Sequence, residues 1–413
     1  VLVDAIRTAF GKAGEKGVFW NTRADDMVVK VIRELLRRNP KVKPEMIGEN
    51  AWGAFCQEKD QGLTLGRTSV ILAGLPEATA GFSIDRMCAG GMSALTTAAA
   101  EIALGACDVA IAGGVEHMGH HPMGSTADPN PRFLTDKLVD ESAMSMGATA
   151  ENLHDMFPDI TKETADEYSV HCQSKAKKAI DSGKIASMIV PMTVFTKEGW
   201  IVADKDEQPR PEATKEGLAK LKTPFRVMGK VTAGNSSGLN DGAAGCLLMA
   251  KDAAKDLGIE YKMEMESFAY AGVRPEIMGV GPIPATKKAL AVAGLTIEDI
   301  GLIELNEAFA VQAVAFMKEF GLRVPDDPRV NVYGGAIAFG HPLASSGVRL
   351  ALHLMHAFGD YPEVKYGLTT MCVGLGQGGT VVWKNSQRNG KKKEEKAKDK
   401  EKDKEKDKEK KDE

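Results

Sequence analysis

The sequence predicts a layered α/β fold made of two similar halves, with a loop-rich domain inserted between them. Three observations lead there. Glycine-punctuated apolar segments of strand length alternate with helical runs through residues 1–118 and again through 250–384, as in strands covered by helices. The pairs Ile47-Gly48 and Ile300-Gly301 stand 253 residues apart, and the same offset carries Cys88 onto His341, as a duplicated unit would. Residues 119–231 break the alternation with polar helical runs and loops such as "HHPMGSTADPNPRFL" and "KDEQPRPEATKEGLAKLKTPF".

The first half opens on the strand-like "VLVDAIR". The helix "ADDMVVKVIRELLRR" follows, with apolar residues at helical spacing. Next come the strand "ENAWGAF", the helical run "MSALTTAAAEIALGA" behind Cys88, and the strand "DVAIAGGVE". This alternation argues a mainly parallel core sheet. After the inserted domain, 119–231, "VTAGNSSGLNDGAAGCLLMA" returns to glycine turns and an apolar strand. The expected first domain is therefore 1–118 completed by 232–250. The second half, 251–384, contains "TIEDIGLIELNEAF" as the counterpart of "KPEMIGENAWGAF". A disordered, Lys-, Glu- and Asp-rich tail is expected over 385–413. Its run "KKKEEKAKDKEKDKEKDKEKKDE" has no large apolar residue with which to build a core, and its alternating signs set like charges at i,i+4.

Composition excludes several classes. A chain of 413 residues that is 43% hydrophobic can bury a large core. No run of 18 apolar residues is free of charge, so a spanning helix is not expected. The tail from Lys391 holds 12 of the 53 Lys and Arg and 10 of the 57 acidic residues, leaving 41 against 47. That is no nucleic-acid footprint. The six cysteines form neither metal-type pairs nor a short secreted framework, which points to a reducing, intracellular compartment. The chain opens at Val1 without an initiator Met or a signal peptide. The expected location is cytoplasmic, with the mitochondrial matrix or peroxisome as alternatives.

Four reactive side chains stand among glycines: Cys88 in "DRMCAGGMSAL", Asn306 in "LNEAFA", His341 in "GGAIAFGHPLASSG" and Cys372 in "MCVGLGQGG". Two readings fit Cys88. A thiol at a helix N-terminus feels the positive end of the dipole, which favours thiolate; a small residue filling a tight turn needs no chemistry. His341 and Cys372, each taken alone, read as structural. Together the four make more sense as a site. Cys with His is a nucleophile–base pair, a second thiol can pass protons, and an amide can hold water or face an oxyanion. His117, His120 and His121 crowd together without a carboxylate ligand pattern and read as loop structure or substrate-facing lining rather than a metal site.

Seven motifs stand in thiolase order: "VLVDAIRT", "DRMCAGGMSAL", "GGVEHMG", "VTAGNSSGLNDGAA", "LNEAFA", "GGAIAFGHPL" and "CVGLGQGG". The chain resembles thiolases from residue 1 to about 384. "GGVEHMGHHPM" and "CVGLGQGG" are most similar to degradative 3-ketoacyl-CoA thiolases of fatty-acid oxidation. The resemblance implies the duplicated thiolase fold, a loop domain over the site, homodimers or homotetramers, and coenzyme A as a substrate with no metal or redox cofactor. It implies that Cys88 attacks the 3-keto carbon and keeps the acyl chain as a thioester. His341 would activate Cys88 and, with a water on Asn306, stabilise the oxygen of the substrate thioester. Cys372 would protonate the acetyl-CoA carbanion, then deprotonate incoming CoA. The N–H groups of Cys88 and Gly374 would form a second oxyanion hole. On this reading the glycines after Cys88 clear space for substrate, and the helix start lowers the thiol pKa.

Ser237, Ala308, Phe309 and Met146 match family positions near the pantetheine. Ser145 stands where some thiolases have His. Ala344 replaces the usual Gly, so its methyl would narrow the pocket or stiffen the turn. The rival readings are an acetyl-CoA acetyltransferase working in condensation and a non-catalytic acyl-CoA-binding protein. A ketoacyl synthase would need a second His in place of Asn306 and Cys372. The subgroup likeness also implies a complex with an enoyl-CoA hydratase/3-hydroxyacyl-CoA dehydrogenase subunit, for which Phe157, Met188 and Trp200 would line an interface.

Overall fold

The computed structural model describes residues 1–125 and 127–387. Its strands, in chain order, are Leu2–Arg7 (β1), Gly11–Lys12 (β2), Glu49–Gly53 (β3), Phe82–Ile84 (β4), Val109–His117 (β5), Met192–Thr196 (β6), Gly199–Ala203 (β7), Asn240–Met249 (β8), Met263–Gly272 (β9), Ile300–Leu305 (β10), Tyr366–Val373 (β11) and Gln377–Asn385 (β12). Among the described residues, ten strands form one sheet in the order β10-β11-β12-β9-β1-β8-β5-β3-β4, with β2 beside β8. β6 and β7 form a separate hairpin.

The sheet is mixed, not mainly parallel. β3 runs parallel to β4 and β5, and β10 to β11. Every other pairing in it is antiparallel. The alternation of strand and helix misses this because β11 and β12 are joined by a short turn, which forces an antiparallel hairpin.

The order is nearly symmetric about the seam where Leu2 of β1 meets Met263 of β9. Moving outward, β12 matches β8, β11 matches β5, and β10 matches β3. The offset of 253 relates the 3-10 turns Pro44–Met46 and Ile297–Asp299. It has grown to 256 at the next pair, Met87–Ala89 and Leu343–Ser345. Cys88 and His341 thus share equivalent corners, but His341 lies three residues earlier in its corner. Behind these corners run the helices Gly90–Ala103 and Ser346–Asp360, which pack on each other. Both are rich in buried small or apolar residues, as helices covered on several sides must be. The outer helix Ala24–Arg38 instead buries a stripe through Met27, Val28, Val31, Ile32 and Leu35. Asp25 and Asp26 at its start and Arg37 and Arg38 at its end complement the dipole.

Between β5 and β8, the helix Lys162–Asp181 is capped by the Thr161 hydroxyl, which accepts from Thr164 N at 3.2 Å. This segment is tied to the sheet by Asp206. Its carboxylate takes both Arg7 amino groups at 2.6 Å and Phe10 N at 2.7 Å. Of the three expected interface residues, Met188 is fully buried and Phe157 packs partly buried against the core, so only Trp200 is on the surface. Met188 sits inward because its 3-10 turn, Ala186–Met188, leads into the stretch where Ile189 bridges Arg7 of β1.

No helix among the described residues is long and apolar enough to cross a membrane. Asn385 ends β12, and Gln387 is still anchored, its amide donating to Met355 O at 2.8 Å. The remainder of the expected tail, 388–413, lies outside the described residues.

Candidate active site

Cys88 lies in the 3-10 turn Met87–Ala89, directly before the helix Gly90–Ala103. Met87 adopts φ +44°, a left-handed conformation unusual for a side-chain-bearing residue. Asp85 accepts from its N–H at 2.6 Å and holds the corner. Such local strain persists only where surrounding structure enforces it. The turn packs on β11, which carries Cys372, and on the turn Leu343–Ser345, just after His341. The N–H groups of Gly374 and of Cys88 itself act on the Cys88 sulfur.

The glycines after Cys88 do not open space for substrate. A Cβ on Gly91 would collide with the Ala344 carbonyl oxygen, and so would one on Gly114 of β5. A Cβ on Gly90 would stand 3.0 Å from the Ala344 methyl. The missing side chains therefore let the His341 loop close onto the Cys88 corner. The Ala344 methyl faces Gly90 and fills that junction. Glu116 of β5 bridges the same junction: it accepts from Phe55 N at 3.1 Å and Gln61 Nε2 at 2.8 Å, and Ala344 N approaches it at 3.4 Å.

His341 is buried, and its ring sits between two partners. Nδ1 is 2.6 Å from Ser346 Oγ, and Nε2 is 3.4 Å from Asn306 Nδ2. The buried Arg349 donates to Asn306 Oδ1 at 2.8 Å. Because a guanidinium can only donate, the atom facing it must be the amide oxygen. The amide nitrogen then faces His341 Nε2, which keeps a lone pair there and places the ring proton on Nδ1, toward Ser346. His341 N is fixed by Asn240 Oδ1 at 3.1 Å. Next to Asn306, Glu307 accepts from Tyr168 OH at 2.7 Å, Asn331 Nδ2 at 2.6 Å and Ile337 N at 3.1 Å. It thereby ties the Asn306 corner to the loop ahead of His341.

Electrostatics corrects the expectation of a lowered thiol pKa. Burial pushes the Cys88 thiol up to about 12, against the pull of the Gly374 and Cys88 N–H groups. The helix start is outweighed because the charged form loses water, and the buried Glu116 adds negative potential. Burial, helped by Arg349, holds His341 down to about 3, so its imidazole is neutral. Burial also pushes Cys372 up, and the neighbouring Cys88 adds to the shift. At rest the arrangement is two thiols and a neutral base, with a lone pair presented at Nε2.

Ser237, Ala308 and Phe309 come together. Ser237 N donates to Ala308 O at 3.0 Å, and Ser236 bridges Phe309. Met146 begins the helix Met146–Met156, and its sulfur lies 3.9 Å from where a Cβ on Gly374 would stand. The histidine group is satisfied by partners of its own. His120 stacks on His117 with centroids 3.7 Å apart, and His121 pairs with Asp60 at 2.5 Å. Among the described residues no group of three or more His, Cys, Asp or Glu side chains is placed to hold a metal ion. Sequence reasoning missed Arg349, Ser346, Asn240 and Glu116. Glu307 alone carried a signal, its place beside Asn306 in "NEAF".

Comparison with known proteins agrees with this geometry. The thiolase N-terminal domain model matches residues 1–252 and the thiolase C-terminal domain model residues 259–385. A 3-ketoacyl-CoA thiolase from Pseudoalteromonas translucida (strain TAC 125) is 44% identical over 94% of this chain and 99% of its own. One from Idiomarina loihiensis is 44% identical over 93% and 98%. The crystal structure of the Bacillus anthracis acetyl-CoA acetyltransferase superposes with a TM-score of 0.83 at 36% identity, covering 93% of this chain and 98% of that one. With both domain models matched in order and relatives similar end to end, the chain belongs to the thiolase family.

Proposed function

We propose that the protein is a 3-ketoacyl-CoA thiolase of fatty-acid β-oxidation, cleaving its substrate with CoA to acetyl-CoA and a shortened acyl-CoA. The observation that carries this reading is the meeting of Cys88, Cys372 and the Gly374 N–H at one corner, closed by the loop of His341. In this mechanism Cys88 attacks the 3-keto carbon while His341 Nε2 takes its proton. The oxygen that becomes negative is held by the Cys88 and Gly374 N–H groups. Carbon–carbon cleavage leaves the acyl group on Cys88 and an acetyl-CoA carbanion, which takes the proton of Cys372. As that carbanion forms, its charge spreads onto the oxygen of its CoA thioester, which faces His341 and a water on Asn306. Incoming CoA gives its thiol proton to Cys372 and attacks the acyl thioester, and Cys88 leaves, taking back its proton from His341.

Ser237, Ala308, Phe309 and Met146 would line the pantetheine path, which the pairing of Ser237 with Ala308 and the approach of Met146 to Gly374 support. A cytoplasmic homodimer or homotetramer is part of the reading. Both the location and the assembly rest on family likeness. A complex with an enoyl-CoA hydratase/3-hydroxyacyl-CoA dehydrogenase subunit also belongs to it, by family likeness. The same residues would serve condensation of two acetyl-CoA, and the Bacillus anthracis neighbour is named an acetyl-CoA acetyltransferase.

Thiolysis of 3-ketoacyl-CoA from four to sixteen carbons, followed by loss of enolate absorbance, tests the assignment and gives the chain-length preference. Intact mass without free CoA is expected to show an acyl group on Cys88. Acyl mass on Cys372 alone, or no cleavage at any length, would overturn it.

A further inference from the structure

Gln312 belongs to the helix Ala310–Glu319 and is completely buried. Its Oε1 lies 3.6 Å from Cys372 Sγ. Its Nε2 is also buried and has no hydrogen-bond partner among the described residues. An orphaned amide donor inside a protein is costly and calls for a reason. The stem of the side chain is held: a Cβ on Gly279 would stand 3.1 Å from both Cβ and Cγ of Gln312, so that turn packs closely on it. The terminal amide is different, because rotation about the last bond of Gln is soft and roughly two-fold. One end of this amide faces the sulfur and the other faces nothing.

Cys372 has to exist in two forms during the proposed cycle. As a thiol it needs an acceptor; as a thiolate in a buried site it needs a donor. A carboxamide carries both on one carbon. We propose that Gln312 is the hydrogen-bond partner of Cys372 in both forms and turns over between them. Oε1 accepts from the S–H. When that proton leaves for the acetyl-CoA carbanion, the amide rotates and Nε2–H donates to the thiolate. When CoA returns a proton to the sulfur, the amide rotates back. Gln312 itself neither gains nor loses a proton. The inference rests on Cys372 as the proton carrier and adds to it the group that makes the thiolate reachable.

The test uses the full chain, with Gln312→Met as an unbranched replacement and Gln312→Leu as a second should Met not fold. Three quantities are measured: exchange of the acetyl-CoA methyl protons in deuterated water against pH, alkylation of Cys88 by iodoacetamide, and the melting temperature. Loss of the donor is expected to slow exchange about tenfold or more at neutral pH and to move its pH limb up by about one unit. Cys88 alkylation and the melting temperature should hold, since the lost amide was unpartnered at one end. Unchanged exchange with an unmoved limb would overturn the proposal. So would loss of exchange together with Cys88 alkylation, which would mark Gln312 as mere support for the fold. Absence of exchange in the unaltered protein overturns the reading of Cys372 as well, so the two failures are distinguishable.

Discussion

A thiol pushed up to about 12 holds almost no thiolate at neutral pH, and an imidazole held down to about 3 holds almost no positive charge. Cys88 and His341 are therefore not a preformed ion pair. Proton transfer has to accompany attack, when substrate has entered and the developing charge moves onto oxygen facing the N–H groups. This makes a distinct prediction for the resting protein. Alkylation of Cys88 by iodoacetamide should keep rising with pH over about 7 to 10, because the thiolate fraction grows throughout. A plateau below about pH 8 would show that thiolate and imidazolium coexist at rest. Replacing the nucleophile has a larger effect. Cys88→Ser offers a hydroxyl that the neutral His341 must deprotonate against a still higher pKa. Thiolysis should fall at least about a thousand-fold, roughly 4 kcal/mol of barrier, with the melting temperature unchanged; retention of a tenth of the rate would remove Cys88 from the nucleophile's role.

The elements meet through backbone, not side chains, at the junction of the Cys88 and His341 corners. Gly91 on the helix Gly90–Ala103 and Gly114 on β5 both lie against the Ala344 carbonyl. Gly91→Ala would force a methyl into that oxygen, and neither the helix nor the loop can yield without moving a catalytic side chain. It should destabilise by about 1–3 kcal/mol, read from urea unfolding, and lower thiolysis beyond what the unfolded fraction explains. An alanine variant with normal rate and stability would show that the loop has slack. This junction also shows what the sequence makes legible. Cys88, Asn306, His341 and Cys372 stand out because each is a reactive residue at a glycine-marked corner. Arg349, Glu116 and Gln312 sit in regular helix or strand as ordinary residues. Their roles come from partners far along the chain: Arg349 meets Asn306 across 43 residues, and Glu116 meets Ala344 N across 228. Periodicity carries no information about such pairs. The strand directions failed for a related reason, since the β11–β12 turn reads equally well as part of a site. The purpose of the glycines is not legible because the sequence shows that a side chain is missing, not which neighbour occupies its place.

Across the whole molecule, one sheet and two central helices bury a large set of ionisable groups, and their titration couples to stability. His117 and His356 are held down to about 4 and His341 to about 3, with His154 and His353 also lowered, in each case first by burial. Each stays neutral in the fold but binds a proton on unfolding below about pH 6.5. These five groups make stability fall as pH drops from about 6.5 toward 4. Two buried carboxyls act in the opposite sense. Burial raises Asp241 to about 7 and Glu304 to about 8, so the folded state holds protons that the unfolded chain releases above about pH 4. They make stability rise on acidification over the same window. The histidines outnumber these carboxyls, so unfolding takes up protons overall and stability falls as the pH drops through the window. His121 works above it: burial opposes its charge, but Asp60 and Glu58 raise its pKa, so its contribution is complete below about pH 6.5 and lost at higher pH. Urea midpoints at pH 6.5 and pH 5 at fixed ionic strength should therefore drop on acidification; a midpoint that holds or rises would show that the buried carboxyls, not the histidines, govern the acid response of this fold.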